Sequence, residues 1–327
     1  MKEVINIGII GIANIALRSV IPSIIDLGEY FRLYGLASRN AEKAKDTCRL
    51  FNTKAYQDYD ELINDDNLDA VYIPLPNALH ASWIEKSLQK GLHVLVEKSL
   101  ACNLEDALYL NNLAREKSLV LLENFQFQFH SQLYYIKELL QENKIGGLRC
   151  IRSAFGFPPF PDKNNIRYKK ELGGGALLDA GAYPVKISQV FLGNDLDVES
   201  GNLFYDENFN VDIWGGGCLK QKNGSLFSQI AFGFDNFYQC NIELWGSKGK
   251  ISTNRIFTAP PDFEPVIILQ TSTGSKSIKL PSDNHFIKML IHFYDLITLQ
   301  KNTEQEYLQN INQARLISEL KTKSNGQ

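Results

Sequence analysis

The chain has 327 residues, 44% of them hydrophobic, 11% aromatic and 22% charged, and its 34 basic and 37 acidic side chains leave a formal charge of −3 at pH 7. That length exceeds the ~250–300 residues at which one core usually stops growing, so two domains are expected, and the apolar fraction excludes wholesale disorder. A mean hydropathy of −0.20 and no apolar run near the ~18 residues of a membrane span argue against a membrane partner, and the balanced charge gives no footprint for nucleic acid.

Residues 1–10 run straight into an apolar segment with no basic leader, so no secretory signal is expected. Within them, residues 4–10 read as a parallel strand buried on both faces. The strand feeds Gly11-Ile12-Ala13-Asn14-Ile15-Ala16 and then a helical stretch over 20–27. This is the spacing of the dinucleotide turn G-x-G-x-x-G/A, with Ala13 in the middle place. Gly11, Ala13, Asn14 and Ile15 are therefore candidates for holding a cofactor diphosphate. The same turn also occurs as plain helix–strand packing, and the Ala13 methyl group crowds the diphosphate's approach.

Strand-like segments at 31–37, 70–73, 93–96 and 119–122 alternate with helical ones at 41–51, 83–90 and 104–116. The alternation predicts a Rossmann-type, doubly wound parallel sheet over residues 1–123. An NAD site usually places an acid near the end of the second strand, yet none occurs between Leu33 and Ala41. Ser38 and Arg39 stand there instead, a hydroxyl and a guanidinium suited to the 2′-phosphate of NADP(H). The plainer alternative is that Ser38 caps the next helix and Arg39 is simply solvated.

Two further turns fall at strand ends, where open α/β sheets bind ligands. Residues 72–80 carry Pro74, Leu75, Asn77 and His80, which are candidates to wall the nicotinamide side. Glu97 and Lys98 sit on the second turn, where an ammonium can stabilise a developing alkoxide.

Past Glu123 the pattern changes. Asn124 and Gln126 open an alternating aromatic and polar stretch and are candidates for substrate contact. A helix over 133–140 precedes strands at 150–157, 201–204, 211–219, 225–234, 238–245 and 266–270. Short turns between successive strands predict a second α+β domain over 124–327 with an open, largely antiparallel sheet; residues 321–327 read as a disordered tail. Gly173-Gly174-Gly175 precedes a helix in which Asp179 and Tyr183 are four apart and so share a face, with Pro184 expected to kink it. A phenol held there can donate a proton, and an adjacent lysine would lower its pKa. It can equally be a buried tyrosine hydrogen-bonded to Asp179. Five scattered cysteines without a C-x-x-C pair, and five histidines without H-E-x-x-H or H-x-H, argue for no metal and fit a reducing cytoplasm.

As a set, these residues resemble the glucose-fructose oxidoreductase / inositol dehydrogenase (Gfo/Idh/MocA) family of NAD(P)-dependent sugar oxidoreductases. The resemblance rests on the Gly11–Ala16 turn, residues 72–80, Glu97-Lys98, Phe129-His130, residues 173–184 and Gly246-Ser247-Lys248-Gly249. It implies a catalytic lysine in an E-K-P motif, matched by Lys98, although Ser99 replaces the proline. It also implies an open second sheet that forms a homodimer or homotetramer. The first turn and Phe257-Thr258-Ala259-Pro260-Pro261 look like the branch of nucleotide-linked sugar 3-ketoreductases, where a tyrosine matched by Tyr183 donates the proton. Many inositol dehydrogenases carry histidine at that place.

The resulting expectation is an NADPH-dependent reduction of a sugar keto group. Tyr183 gives the proton, Lys98 holds the oxygen, and Asp179 meets a sugar hydroxyl or orients Lys98. Arg167, with Arg152 and Arg255, is a candidate for a substrate diphosphate. The rivals are an NADP-dependent aldose or trans-dihydrodiol dehydrogenase and a non-enzymatic dinucleotide-binding regulator.

Overall fold

The computed structural model describes residues 4–325 and divides into two compact units. In the first unit the strands are β1 (Ile5–Ile10), β2 (Phe31–Ala37), β3 (Lys54–Tyr56), β4 (Ala70–Ile73), β5 (His93–Glu97) and β6 (Leu121–Asn124). They are linked by α1 (Ile21–Asp26), α2 (Ala41–Phe51), α3 (Tyr59–Ile63), α4 (Asn77–Gln89) and α5 (Leu104–Glu116). The six strands form a wholly parallel sheet in the order β3-β2-β1-β4-β5-β6. Helices cover both faces of such a sheet, which is why Ile7, Ile9, Val71, Ile73, Val94 and Val96 are all buried. Each fully buried aliphatic side chain contributes about 1.5–3 kcal/mol.

Two small elements escape the sequence pattern. Strand β3 is three residues long, and α3 only five. Strand β3 is tied by Asp65, whose carboxylate accepts the Tyr56 hydroxyl at 2.7 Å and the Lys54 ammonium at 2.9 Å, and α3 is capped by Asp58, which accepts the Glu61 N–H at 2.7 Å. Helix α4 also begins six residues before the expected start, because Pro76 supplies a preset turn directly ahead of Asn77.

In the second unit α6 (Ser131–Gln141) leads to β7 (Leu148–Gly156), followed by α7 (Ala182–Leu192). Then come β8 (Leu196–Asp206), β9 (Val211–Gln221), β10 (Phe227–Gly233), β11 (Gln239–Gly246), β12 (Gly249–Asn254), β13 (Val266–Thr271) and β14 (Gly274–Lys279). The eight strands lie in the order β14-β13-β12-β11-β7-β10-β9-β8, antiparallel except for the β7–β10 pair. The inward rows, including Ile213, Phe232, Phe155 and Ile242, join one core with Val185 and Ile187 of α7.

The chain then continues into α8 (His285–Leu299) and α9 (Thr303–Asn325), neither of which the sequence reading anticipated. Residues 286–314 belong to the first unit, whereas Arg315 onward belongs to the second. A single division at 123/124 leaves out this return. Its physical basis is specific: Phe293 stacks on Phe31 at 6.4 Å, Arg115 pairs twice with Glu304, and buried Asn310 donates to Asn111 and the Leu121 carbonyl. Farther along α9, Leu316 and Leu320 enter the second core and Arg315 donates to the Leu196 carbonyl. Residues 321–325, expected to be disordered, are helical because they extend this anchored helix. The leader expected to be absent at residues 1–3 and the tail at 326–327 lie outside the described residues. Among the described residues no helix is long and apolar enough to cross a membrane.

Candidate active site

Gly11 follows β1 with φ +103°, a conformation side chains rarely adopt, and a Cβ there would meet Leu75 Cδ2 at 2.6 Å. The backbone therefore turns closely against the 74–76 loop. The following helix passes through a wide π-type turn over Ala16–Val20 before α1, which carries Pro22 at its start. Ala13, Asn14 and Ile15 lie on the exposed side of this turn or part-buried within it. At the end of β2, Ser38 is nearly buried and its Oγ accepts the Asn40 N–H at 3.2 Å. Asn40, not Ser38, caps α2 by accepting from the Lys43 N–H at 3.0 Å. Arg39 is exposed and has no hydrogen-bond or ion-pair partner among the described residues.

A residue the sequence reading passed over also stands here. The Lys43 ammonium donates to the Ile12 carbonyl at 2.8 Å, which brings a second cation onto the glycine turn. The available signal was a lysine four positions after Arg39, in the first turn of α2. Together the cradle at Gly11, the start of a helix and two cations fit a phosphorylated dinucleotide.

The two other rim turns are tied to one another. His80 is fully buried, and its Nδ1 and Nε2 each lie 2.8 Å from a carbonyl oxygen, of Ser99 and Leu75 respectively. His80 therefore sits between the two loops, its single N–H donating to one of these carbonyls, where the sequence reading had placed it on the nicotinamide side. Burial pushes its pKa down to about 4, which keeps the ring neutral. The Lys98–Ser99 peptide is cis. Glu97 also points inward, accepting the Tyr72 hydroxyl and the Asn124 amide at 2.6 Å each. Burial raises the Glu97 pKa, while those donors and the adjacent Lys98 oppose the rise. Glu97 and Asn124 thus form an internal network beneath Lys98, where the sequence reading had assigned them to cofactor and substrate. Lys98 itself is part-exposed at the strand end. Pro74 is buried, while Leu75 and Asn77 are part-buried on the neighbouring loop.

In the second unit Tyr183 is 7% exposed and its ring is caged by Phe125, Phe127, Phe155 and Phe257 at centroid distances of 5.0–5.8 Å. Such a ring has little freedom to reorient. Gln126 is buried in a short 3-10 turn between two of these phenylalanines. Asp179 accepts from Arg167 Nε at 2.5 Å. The Asp179 charge holds Arg167 firmly protonated, and Tyr183 adds to the same field. The guanidinium also lies 4.8 Å from the Phe160 ring centroid, so Arg167 is a fixed partner of Asp179. Pro184 does not break its helix. A π-type turn over Leu177–Gly181 precedes it, as one precedes Pro22, and the wider turn accommodates a residue without an N–H. Lys186, one turn beyond Tyr183, is 2% exposed with its ammonium 5.4 Å from the Phe125 ring centroid, and the sequence reading missed it.

Of the other arginines, Arg152 pairs with Glu243 on the sheet and Arg255 lies over Tyr238. The Gly246–Gly249 turn packs on 145–147, where Ser247 and Lys248 donate to the Gly147 and Ile145 carbonyls. It is a hairpin fastening. Among the described residues, no group of three or more His, Cys, Asp or Glu is placed to hold a metal ion.

Comparison with known proteins places these features in context. Residues 5–125 match the oxidoreductase family with an NAD-binding Rossmann fold, and residues 134–252 match the GFO/IDH/MocA C-terminal domain. A dTDP-3,4-didehydro-2,6-dideoxy-alpha-D-glucose 3-reductase of Actinomadura kijaniata is 34% identical over 318 residues, covering 97% of this chain and 95% of that protein. The enzyme of the same name from Saccharopolyspora spinosa is 37% identical over 293 residues, covering 90% and 87%. The crystal structure of a 3-ketoreductase from Actinomadura kijaniata in complex with NADP and TDP-benzene superposes with a TM-score of 0.94 at 33% identity, covering 98% of both chains.

Proposed function

The chain belongs to the GFO/IDH/MocA family of oxidoreductases, and we propose that it uses NADPH to reduce the 3-keto group of a dTDP-linked deoxysugar. The observation that carries this reading is the placement of Tyr183, a phenol caged by four phenylalanines beside the Arg167–Asp179 pair. The near full-length similarity to two 3-reductases supports the substrate class.

Gly11, the turn through Ile15, Ser38, Arg39 and Lys43 hold the dinucleotide, with Arg39 reading the 2′-phosphate. When bound, the cofactor supplies the hydride. Lys98 holds the carbonyl oxygen and offsets the negative charge that grows on it. Tyr183 hands its phenolic proton to that oxygen, so the product leaves as an alcohol. Asp179, paired with Arg167, accepts a hydrogen bond from a sugar hydroxyl. His80, beside the Ser99 carbonyl, and Glu123, whose Oε1 accepts the Leu100 N–H at 2.8 Å, hold the Lys98 loop.

The decisive experiment is NADPH consumption by purified protein across dTDP-linked 3-keto and 4-keto deoxysugars, with NADP+ reduction by D-xylose and a trans-dihydrodiol as comparison arms. Turnover confined to the 3-keto substrate is expected. Faster oxidation of the free sugar or the diol would transfer the protein to the dehydrogenase reading, and tight NADPH binding without turnover to the regulatory one.

We also infer self-association through the outer face of the second sheet. Trp214, Arg152, Gln229, Glu243 and Trp245 share that face by register, and Phe204 stacks on Trp214 at 3.8 Å. Phe204, Trp214 and Trp245 are all exposed on this face in one protomer. Sedimentation should give a dimer or tetramer, reduced to monomer by Trp245→Asp with Trp214→Asp. A cytoplasmic setting accords with five free thiols.

A further inference from the structure

Asp212 is a buried carboxyl with no part in the mechanism above. It lies near the start of β9 and is only 9% exposed. Its Oδ2 accepts the Leu177 N–H at 2.5 Å, across 35 positions of sequence, and the Ala176 N–H bonds to it as well. Gly175 approaches from the same side with φ +112°, and a Cβ there would collide with Asp212 Oδ1. The Gly175-Ala176-Leu177 stretch opens the continuous helical run that carries Asp179 and Tyr183.

The first N–H groups of a helix have no partner within it. A local Ser, Thr, Asn or Asp usually supplies one, but Ala176 occupies that position and offers no side-chain cap. The acceptor comes from the sheet instead. A local cap would stabilise the helix wherever it lay, whereas a carboxylate on β9 also fixes its place and rotation. The aromatic cage fixes the Tyr183 ring six residues farther on. Two remote constraints therefore determine where the phenol points.

We propose that Asp212 is a positioning residue, which holds the start of the Asp179–Tyr183 helix against β9 and so presents the phenol to the oxygen it protonates. The inference rests on the reading of Tyr183 as proton donor. It adds a residue that does not touch substrate or cofactor.

The charge state of Asp212 matters to this grip. An ionised carboxylate accepts both amides and complements the positive end of the helix. Burial raises its pKa to about 6, opposed by the amide hydrogen bonds and by Lys321 of α9. Tyr205 of β8 feels the same carboxylate, which adds to the rise that burial imposes on the Tyr205 pKa. As pH falls through about 6 the Asp212 carboxylate takes up a proton, and its hold on the amides weakens.

The test is a double-mutant cycle of Asp212→Asn and Tyr183→Phe, read as NADPH oxidation with dTDP-3,4-didehydro-2,6-dideoxy-α-D-glucose between pH 5 and 8. The asparagine side chain would keep the shape of the carboxylate but present an NH2 to one of the two amides. D212N should lower kcat about ten- to a hundredfold, more than it raises KM, with NADPH affinity and melting temperature serving as checks of folding. On the Y183F background the same change should cost less than about threefold, because the proton it helps to deliver is already missing. The wild-type decline in kcat below about pH 6 should disappear in D212N.

Equal losses on both backgrounds, or an unchanged kcat in D212N, would overturn the positioning role while leaving Tyr183 as donor. An unaffected Y183F would overturn the donor reading itself. If D212N does not fold, the wild-type pH profile decides. A decline near pH 6 supports the proposal, and a level kcat down to pH 5 overturns it.

Discussion

Arg39 and Tyr183 show what a single side chain is asked to do in each unit. Arg39 is exposed and unengaged, so its removal disturbs nothing folded. Arg39→Ala should therefore weaken NADPH binding about tenfold or more on the scale of a charged hydrogen-bonded pair, ~1.5–3 kcal/mol, and leave NADH nearly unchanged. Fluorescence titration with both cofactors measures this, and equal weakening would place the 2′-phosphate elsewhere. Lys43 should be a lesser contributor, since its ammonium is partly spent on the Ile12 carbonyl. Tyr183→Phe keeps the ring in its cage and deletes only the hydroxyl. We expect kcat to fall by roughly 10²–10⁴ with NADPH affinity intact. Steady-state kinetics with unchanged turnover would remove Tyr183 from the reaction. Both residues stand where the sequence reading put them, at the end of β2 and in the helix after the three glycines. Lys43 and Lys186 were not legible there, because a lysine in a helix is ordinarily a solvated one.

Among the elements, two histidines packed into the first unit act as fasteners. His80 joins the 74–76 and 98–100 loops, and His93 Nδ1 at the start of β5 accepts the Val120 N–H just ahead of β6 at 3.0 Å. Desolvation holds each at a pKa of about 4, below the ordinary 6.5. The folded values are depressed, so between about pH 6.5 and 4 the unfolded chain binds protons that the folded chain refuses. The stability involved is complete above about pH 6.5 and is lost as pH falls through that window, about 3 kcal/mol for fully buried His80 and less for part-buried His93. Urea unfolding at pH 7.5 and 5 should show the loss. His93→Gln, which keeps an acceptor that does not titrate, should make it shallower. Helix and strand boundaries were legible wherever apolar periodicity was strong, as in β2 and α5. They failed at β3, where Asp65 supplies an anchor that no local pattern announces.

At the scale of the whole chain, the first unit needs residues that follow the second. Asn310 makes this concrete. Its amide donates to Asn111 and to the Leu121 carbonyl, and all of it is buried. Asn310→Ala leaves those acceptors unsatisfied and should cost about 1–3 kcal/mol, visible as a lower denaturant midpoint. It should also weaken NADPH binding if the first unit loosens independently, which cofactor titration in mild urea would detect. An unchanged midpoint would mean that this contact contributes nothing to the fold.

The sequence by itself determined the two sheet types, the glycine turn that ends β1 and the family to which the chain belongs. The first two follow from short-range physics: burial period and backbone freedom at glycine. Only the tertiary structure decided that Glu97 and His80 are internal fasteners, that Arg167 belongs to Asp179, that Asp212 holds a helix start and that residues 286–314 return to the first unit. Each of those depends on which distant group meets a buried polar atom. A buried donor or acceptor must be matched, but nothing in the local sequence says by whom.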